Sequence, residues 1–501
     1  MLTDLLVFAA FVIVLTIPQP HGLPWKTITA PHIVYGLLVL QVGLVGLVTW
    51  WFSRLVRRRL DFDPGWLPGA QRRFSDGTWA MRITIGLGFL ASIYGTNWAA
   101  RVRSWRLTQG LYAVDELIML APLFAGLLLG WTMLYSADKA IRRVQFERQL
   151  QAGVLHRRIW GLGTYLTHMF RQHVLIIAAP MIPIVIASDV TNRYKFYIDR
   201  WTRVPWGSDA AMATAAGLVF FFAPVMLRFI WRTRVLPPGE LRSRLEAISR
   251  RIGLTYRRIL IWESDGMVVN AAVVGLVGPV RYVMLSDGLI EMMDDRKIEA
   301  VFGHEAGHIK HRHMHFYVLF GTLTMFVVGG TMLLADLAQH QWPHWFPRYR
   351  LFEDYLQVVA TAEIVLLWAT CFGPISRRFE WQADLFGTRS VTPPPEKCDR
   401  PCILHGTAEV PNPGEATPVC ASAAALFAEA LHRIADLNGI PIEAHSWLHS
   451  SIANRKRLLY QYVYDPSAAG RLGRTVMAIK AVLLVGVAIG VAVTAWVYWP
   501  R

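Results

Sequence analysis

Apolar runs recur along this chain near residues 5–17, 33–52, 81–98, 117–136, 164–187, 212–231, 315–336, 354–374 and 475–498. A helix that crosses a bilayer needs about 20 mostly apolar residues. The pattern therefore predicts nine spanning helices, the first of them short. That first run has neither a basic leader nor a small-residue cleavage site, so it does not read as a removable signal peptide. The run at 81–98 carries Arg82 near its start and Asn97 near its end. The run at 354–374 contains Glu363. An ionisable group at membrane depth marks a functional candidate, and a helix facing a water-filled cavity tolerates it.

The polar segments between the runs differ in charge. Arg54, Arg57, Arg58, Arg59, Arg72 and Arg73 lie in 54–80, and Lys139, Arg142, Arg143, Arg148, Arg157 and Arg158 in 138–160. The intervening segments are poorer, with Lys26 in 18–32 and Arg101, Arg103 and Arg106 in 99–112. Basic segments collect on the cytoplasmic side of a membrane. With nine spans, the long polar stretches 232–314 and 375–474 share that side, the N-terminus is inside and the C-terminus outside.

The polar stretches have their own periodicity. Residues 237–262 set Leu and Ile at helical spacing among charges, as in GELRSRLEAISRRIG, and predict a surface helix. In 267–290 two β-branched runs flank Gly278 and Pro279, which predicts a hairpin. The stretch DDRKIEAVFGHEAGHIKHRH then opens on acidic residues and continues with a helical pattern. Residues 391–420, rich in Pro and Gly, predict an irregular loop. There is no internal repeat.

Composition agrees with a membrane protein: 54% hydrophobic and only 17% charged residues over 501 positions. The formal net charge of +16 is explained by basic flanks of membrane helices, and nucleic acid is not expected as a partner. Four cysteines are too few for a disulfide scaffold.

His304-Glu305-Ala306-Gly307-His308 fits H-E-x-x-H. Two histidines four apart share one helix face, so both rings can reach one ion. Zinc held there lowers the pKa of a water toward about 7, and the neighbouring Glu can take its proton. The competing explanation is a helix with incidental histidines. Gly307 inside a helix costs roughly 1 kcal/mol against Ala, which calls for close packing or function. A catalytic site needs a third protein ligand. The pattern H-E-x-x-H-x-x-G-x-x-H fails, because His311 and Met314 occupy its Gly and third His positions. The alternative is downstream, in SRRFEWQADLFG, where Glu380 could bind the metal and Asp384, one turn on, could accept the other ring N–H of a zinc-bound His. Taken alone, the same pair could be two acids on a solvated face. His311 and His315 continue the face of His304 toward the next span and read as interfacial residues, or as residues just behind the ligands.

H-E-x-x-H followed at long range by S-R-R-x-E-x-x-A-D resembles the zinc metalloendopeptidase family of the type I CAAX prenyl protease and the HtpX-like membrane proteases. NAAVVG, with Asn270, and SWLHSSIANR, with His449 and Arg455, match two further segments of that family. The resemblance covers about residues 240–460. It implies that His304, His308 and Glu380 bind one Zn2+ per chain and that Glu305 is general base and then acid. It implies that Asn270 and His449 hold the substrate backbone or the oxyanion, that Arg455 braces the site, and that an extended polypeptide lies along the hairpin edge. A chamber lined in part by Glu363 would also follow. Ala272 and Ser450 depart from the family, which often has an aromatic residue and a Pro at these positions; substrate preference is affected rather than chemistry.

The expected fold is mainly α: a polytopic α-helical membrane protein with a small α+β zincin-like catalytic domain split by a transmembrane hairpin. The expected parts are an N-terminal membrane domain (1–236, about six spans), the first catalytic half (237–314), the hairpin (315–374), the second catalytic half with the Cys-containing loop (375–474) and a last spanning helix (475–501). The expected function is cytoplasmic-side hydrolysis of membrane or membrane-associated proteins in a bacterial inner membrane. The alternatives are processing of lipidated C-termini and a sensor or regulator that uses the zinc site for signalling cleavage. A transporter finds no support in paired broken helices. Cys398, Cys402, His405 and Cys420 could form a Cys3His zinc site, but C-x3-C-x2-H is an irregular spacing, and free thiols are the expectation.

Overall fold

The computed structural model describes residues 2–16, 27–108, 110–151, 159–204, 206–342, 349–408, 418–444 and 447–498. The chain divides into two compact units, Met1–Trp231 with His344–Thr361, and Arg232–Pro343 with Ala362–Arg501.

The first unit is built on helices α1 (Leu2–Thr16), α2 (Pro31–Phe62), α3 (Leu67–Gly95), α4 (Ala121–Gln151), α5 (Leu162–Arg193) and α6 (Gly207–Ile230). Pro31 opens α2 at a position whose N–H has no intrahelical partner anyway. Helices α2, α3 and α4 pack together. Gly126 and Gly130 of α4 let Ile85 and Met81 of α3 approach closely. Ser53 and Ser136 hydroxyls meet at 2.8 Å across α2 and α4. Helix α5 passes through a π-helical turn at Arg171–Leu175, where His173 Nδ1 lies 2.7 Å from Asp4 Oδ1 of α1.

Among the described residues, six helical runs are long and apolar enough to cross a membrane: α2, α5, α6, His313–Gln341, Val358–Ser390 and Pro466–Val497. The mainly α, polytopic architecture is borne out, and the chain is an integral membrane protein. Six of the nine expected spans are among these runs. Helix α1 has 15 residues, roughly 22 Å at about 1.5 Å per residue, short of a hydrocarbon core of about 30 Å. Most of the run at 81–98 lies in α3, which ends at Gly95, and most of the run at 117–136 lies in α4, which starts at Ala121. There Arg82, Thr84 and Ser92, or Trp131, Tyr135 and Ser136, dilute the apolar character. Span counting therefore no longer determines the side on which either terminus lies.

The second unit carries β1 (Thr233–Val235), α7 (Glu240–Ile252), β2 (Arg258–Trp262), β3 (Ala271–Val274), β4 (Tyr282–Ser286), α8 (Asp295–Lys310), α9 (His313–Gln341), α10 (Gly373–Ser390), α11 (Ala421–Asn438), α12 (Ile452–Tyr464) and α13 (Pro466–Tyr498). The single helix expected over 237–262 is corrected to α7 followed by β2. Gly253 ends α7 at φ +67, and the buried Ile259, Leu260 and Ile261 suit a central strand. The sheet order is β1-β2-β4-β3. Strands β2 and β4 run parallel, while β1/β2 and β3/β4 are antiparallel. The expected hairpin forms, with Ala271 opposite Leu285 and Val274 opposite Tyr282. Its turn needs glycine: Gly275 has φ +113, and a Cβ there would lie 2.6 Å from Val280 O. The Arg281 guanidinium donates to Gly275 O at 3.2 Å and to Thr255 O at 2.8 Å, which pins the turn. Strand β3 is left at the sheet edge.

Helix α8 starts on a cap: Asp294 Oδ1 accepts from Lys297 N–H at 2.9 Å. It crosses α10 at backbone contact distance. A Cβ on Gly307 would meet Ala383 Cα at 3.0 Å, and one on Gly387 would meet His304 N at 2.8 Å. Close packing thus explains the glycine inside the H-E-x-x-H helix. The continuous face expected through His311 and His315 is corrected. Arg312 adopts a left-handed conformation (φ 56), so α8 stops and α9 begins anew at His313. Behind α10, the buried Phe379, Phe427, Leu459 and Tyr462 form a core with α11 and α12. Each fully buried aromatic contributes about 1.5–3 kcal/mol by removing apolar surface from water.

Candidate metal centre

The α8–α10 crossing brings the two halves of the sequence motif together. His308 Nε2 lies 3.2 Å from His304 Nε2 and 3.4 Å from Glu380 Oε1, and His304 Nε2 lies 3.7 Å from Glu380 Oε2. A tetrahedral zinc with bonds of about 2.0–2.1 Å sets ligand atoms roughly 3.3 Å apart. Two imidazole nitrogens and a carboxylate at these separations fit that ion. His304 and Glu380 are buried, and His308 is nearly so.

Neighbouring groups set the tautomers. Asp384 Oδ1 lies 2.8 Å from His304 Nδ1, which favours the proton there and leaves the Nε2 lone pair for a metal. Asp384 is itself paired with Arg455, whose Nε reaches Oδ2 at 2.8 Å and whose Nη2 contacts Oδ1. Burial pulls the His304 pKa down, but the Asp384 contacts outweigh it and hold the ring above its ordinary value. Greater basicity makes it a stronger ligand. Burial pushes His308 down to about 4, so that ring is neutral near pH 7, the form that binds metals.

His308 has a partner that the helical pattern does not show. The turn at Arg312 swings His313 back under the site, fully buried and stacked on Phe379 with ring centroids 4.4 Å apart. His313 Nε2 lies 2.9 Å from Gln382 Oε1, an acceptor, so Nε2 carries the proton. His313 Nδ1 is then an acceptor, 3.0 Å from His308 Nδ1. The chain Gln382–His313–His308 leaves His308 Nε2 aimed at Glu380 and His304. The helical pattern points to His311 and His315 rather than His313, because a straight helix would carry the face of His304 through them. Replacing His313 by Phe keeps the stacking area and removes the acceptor. Zinc affinity is expected to fall about 10–100-fold. Competition with a chelator of known affinity measures this, and unchanged affinity would make His313 a packing residue only.

Glu305 faces a cavity of about 650 Å³. Burial raises its pKa, opposed in part by a hydrogen bond from the Val273 backbone on β3. The same cavity is lined by Asn270, Ala271 and Ala272 of the hairpin, by Phe427 and Leu431 of α11, and by His449 and Arg455. Asn270 is exposed, and its Oδ1 accepts from Ala271 N–H at 2.9 Å. His449 Nδ1 lies 2.9 Å from Glu380 Oε2, with nearly half of the ring open to solvent. Ser450, where the resemblance often has Pro, accepts from Trp381 Nε1 at 2.9 Å. Glu363 is not among the cavity-lining residues and accepts from Thr331 Oγ1 at 3.1 Å. Site and substrate-edge residues thus come from β3, α8, α10, the segment before α12 and α12 itself.

Parts of this chain are similar to known proteins. The model of Peptidase family M48 matches residues 236–396. Proteins named Protease HtpX homolog are similar in sequence. The one from Aeropyrum pernix is 29% identical over 131 residues, 25% of this chain and 40% of the relative. The one from Pyrococcus abyssi is 30% identical over 154 residues, 30% and 50% of the two chains. The one from Pyrobaculum islandicum is 26% identical over 214 residues, 40% and 59%. The chain thus spans about half the length of these curated relatives. The crystal structure of S. mikatae Ste24p aligns with 87% of this chain and 100% of its own, at 15% identity and a TM-score of 0.47. Residues 236–396 thus match Peptidase family M48, in line with the similarity to the HtpX relatives.

Proposed function

We propose that this protein is a membrane-embedded zinc endopeptidase that hydrolyses peptide bonds of membrane or membrane-associated proteins. The observation that supports this most is the His304–His308–Glu380 triangle with Glu305 facing the adjoining cavity. When bound, zinc supplies a Lewis acid that polarises a carbonyl and makes water acidic near neutral pH. The rest of the chemistry belongs to the chain. Glu305 takes a proton from the attacking water and returns it to the leaving amine. Asn270 and His449, at the cavity wall, donate to the substrate backbone or to the developing oxyanion. Asp384, Arg455 and His313 orient the ligand rings.

An extended substrate suits the edge of β3. The Ala271 and Val273 N–H groups are directed away from β4, toward Asn270 and Glu305 respectively. A substrate strand can take such edge groups as partners, as in β-strand addition. We place the site on the cytoplasmic side of a bacterial inner membrane, a reading supported by the Arg-rich segments 54–80 and 138–160.

The experiment is mass spectrometry of new peptide termini in membranes holding the protein, with and without a zinc chelator. Chelation should abolish a defined set of cleavages, and zinc should restore it. An identical peptide set with and without metal would overturn the assignment.

A further inference from the structure

The loop between α10 and α11 holds a second group of metal-ligating side chains, apart from the H-E-x-x-H site. Ligand atoms of Cys398, Cys402, His405 and Cys420 all lie within 4.8 Å of one another. Cys398 and Cys420 sulfurs are 3.6 Å apart, and Cys420 Sγ is 4.0 Å from His405 Nδ1. A tetrahedral zinc with thiolate bonds of about 2.3 Å sets sulfurs roughly 3.7 Å apart. A disulfide would need about 2.05 Å, and all four cysteines are free. We propose that these four residues form a structural Cys3His zinc site.

Two observations support the assignment beyond proximity. The first is convergence: the ligands come from both ends of the segment 398–420, and the irregular sequence spacing closes into one cluster only through the fold. Cys402 and Cys420 are wholly buried, where uncompensated thiolates are costly. The second is the surrounding donors. Ala421 N–H donates to Cys402 Sγ at 3.4 Å, and the Ser422 hydroxyl lies 3.2 Å from Cys398 Sγ. A backbone donor on sulfur is a partner that stabilises a thiolate ligand.

Four protein ligands leave no open position, which makes the site structural rather than catalytic. It would tie residues 398–405 to the start of α11. Phe427 of α11 stacks against His304 with centroids 6.1 Å apart, so the tie braces the wall behind the catalytic zinc.

The test counts metal in the full-length chain purified in detergent, and it separates the two sites. Wild type should hold two zinc ions per chain. The variant H304A/H308A should keep one. Loaded with cobalt, that variant should show the near-ultraviolet cobalt–thiolate charge-transfer absorption, which the nitrogen and oxygen donors of the first site cannot produce. Cys398→Ser should reduce the wild-type count from two to one. The cobalt spectrum needs no cysteine variant, so a failure of Cys398→Ser to fold does not spare the proposal. A single zinc that disappears in H304A/H308A would overturn the second site, as would a Cys398–Cys420 disulfide in freshly isolated protein or a cobalt spectrum without a thiolate band. If wild type holds one zinc and H304A/H308A retains it with the thiolate band, the cysteine site stands and the metalloprotease reading falls.

Discussion

Replacing Glu305 with Gln is expected to abolish cleavage while leaving the zinc content of the chain unchanged. The carboxylate is not one of the three ligand groups, so the amide does not weaken the metal site. Gln has nearly the same shape, and its Oε1 can still accept from the Val273 backbone. What is lost is the ability to take a proton. A positioned general base contributes about 10²–10⁴-fold to a rate. The expected fall in kcat is of that order, with KM little changed, because the substrate contacts of β3 remain. Peptide cleavage rates and metal analysis on the same preparation check both halves. Full zinc with undiminished cleavage would remove Glu305 from the chemistry.

The second large effect is expected at Asp384. This side chain is only 3% exposed and binds two groups at once, His304 Nδ1 and the Arg455 guanidinium. Asp384→Ala leaves Arg455, 11% exposed, as an unpaired buried cation. Breaking a buried pair from one side costs about 3–5 kcal/mol. The same change removes the group that holds the His304 tautomer, worth about 10–100-fold in metal affinity. Denaturant or thermal unfolding of the zinc-free protein reads the first loss, and zinc competition reads the second. The double variant Asp384→Ala with Arg455→Met removes the stranded charge. It should regain much of the stability and none of the metal affinity. If affinity returned with stability, the Asp384 effect would be one of folding and not of tautomer control.

Much of the site is legible in the sequence because its signals are local. His304 and His308 share a helix face through a spacing of four, and Glu380 and Asp384 repeat that spacing. The hairpin follows from β-branched runs around a Gly-Pro turn. Where the structure departs from the local pattern, a non-local cause is visible in each case. The histidine run fits a straight helix, but Arg312 leaves the helical conformation, and His313 becomes the partner of His308. The run at 237–262 fits one helix by its spacing. Ile259, Leu260 and Ile261 become a strand because β1 and β4 flank them. The apolar runs at 81–98 and 117–136 suggest spans, but most of each falls in a longer helix that packs on α2.

By itself, the sequence determined the chemistry available: which residue types can ligate a metal, which carboxylate stands beside them, and which faces are apolar enough for a bilayer. These depend on composition and on the 3.6-residue repeat, which act within a few turns. The tertiary structure decided how those groups meet. Glycines at 307 and 387 let two helices touch at the backbone, so that a carboxylate 72 positions after His308 reaches its ring. The same packing placed His313 beneath His308 and gathered Cys398, Cys402, His405 and Cys420 from an irregular spacing. Such encounters depend on long-range close packing, which no local periodicity encodes.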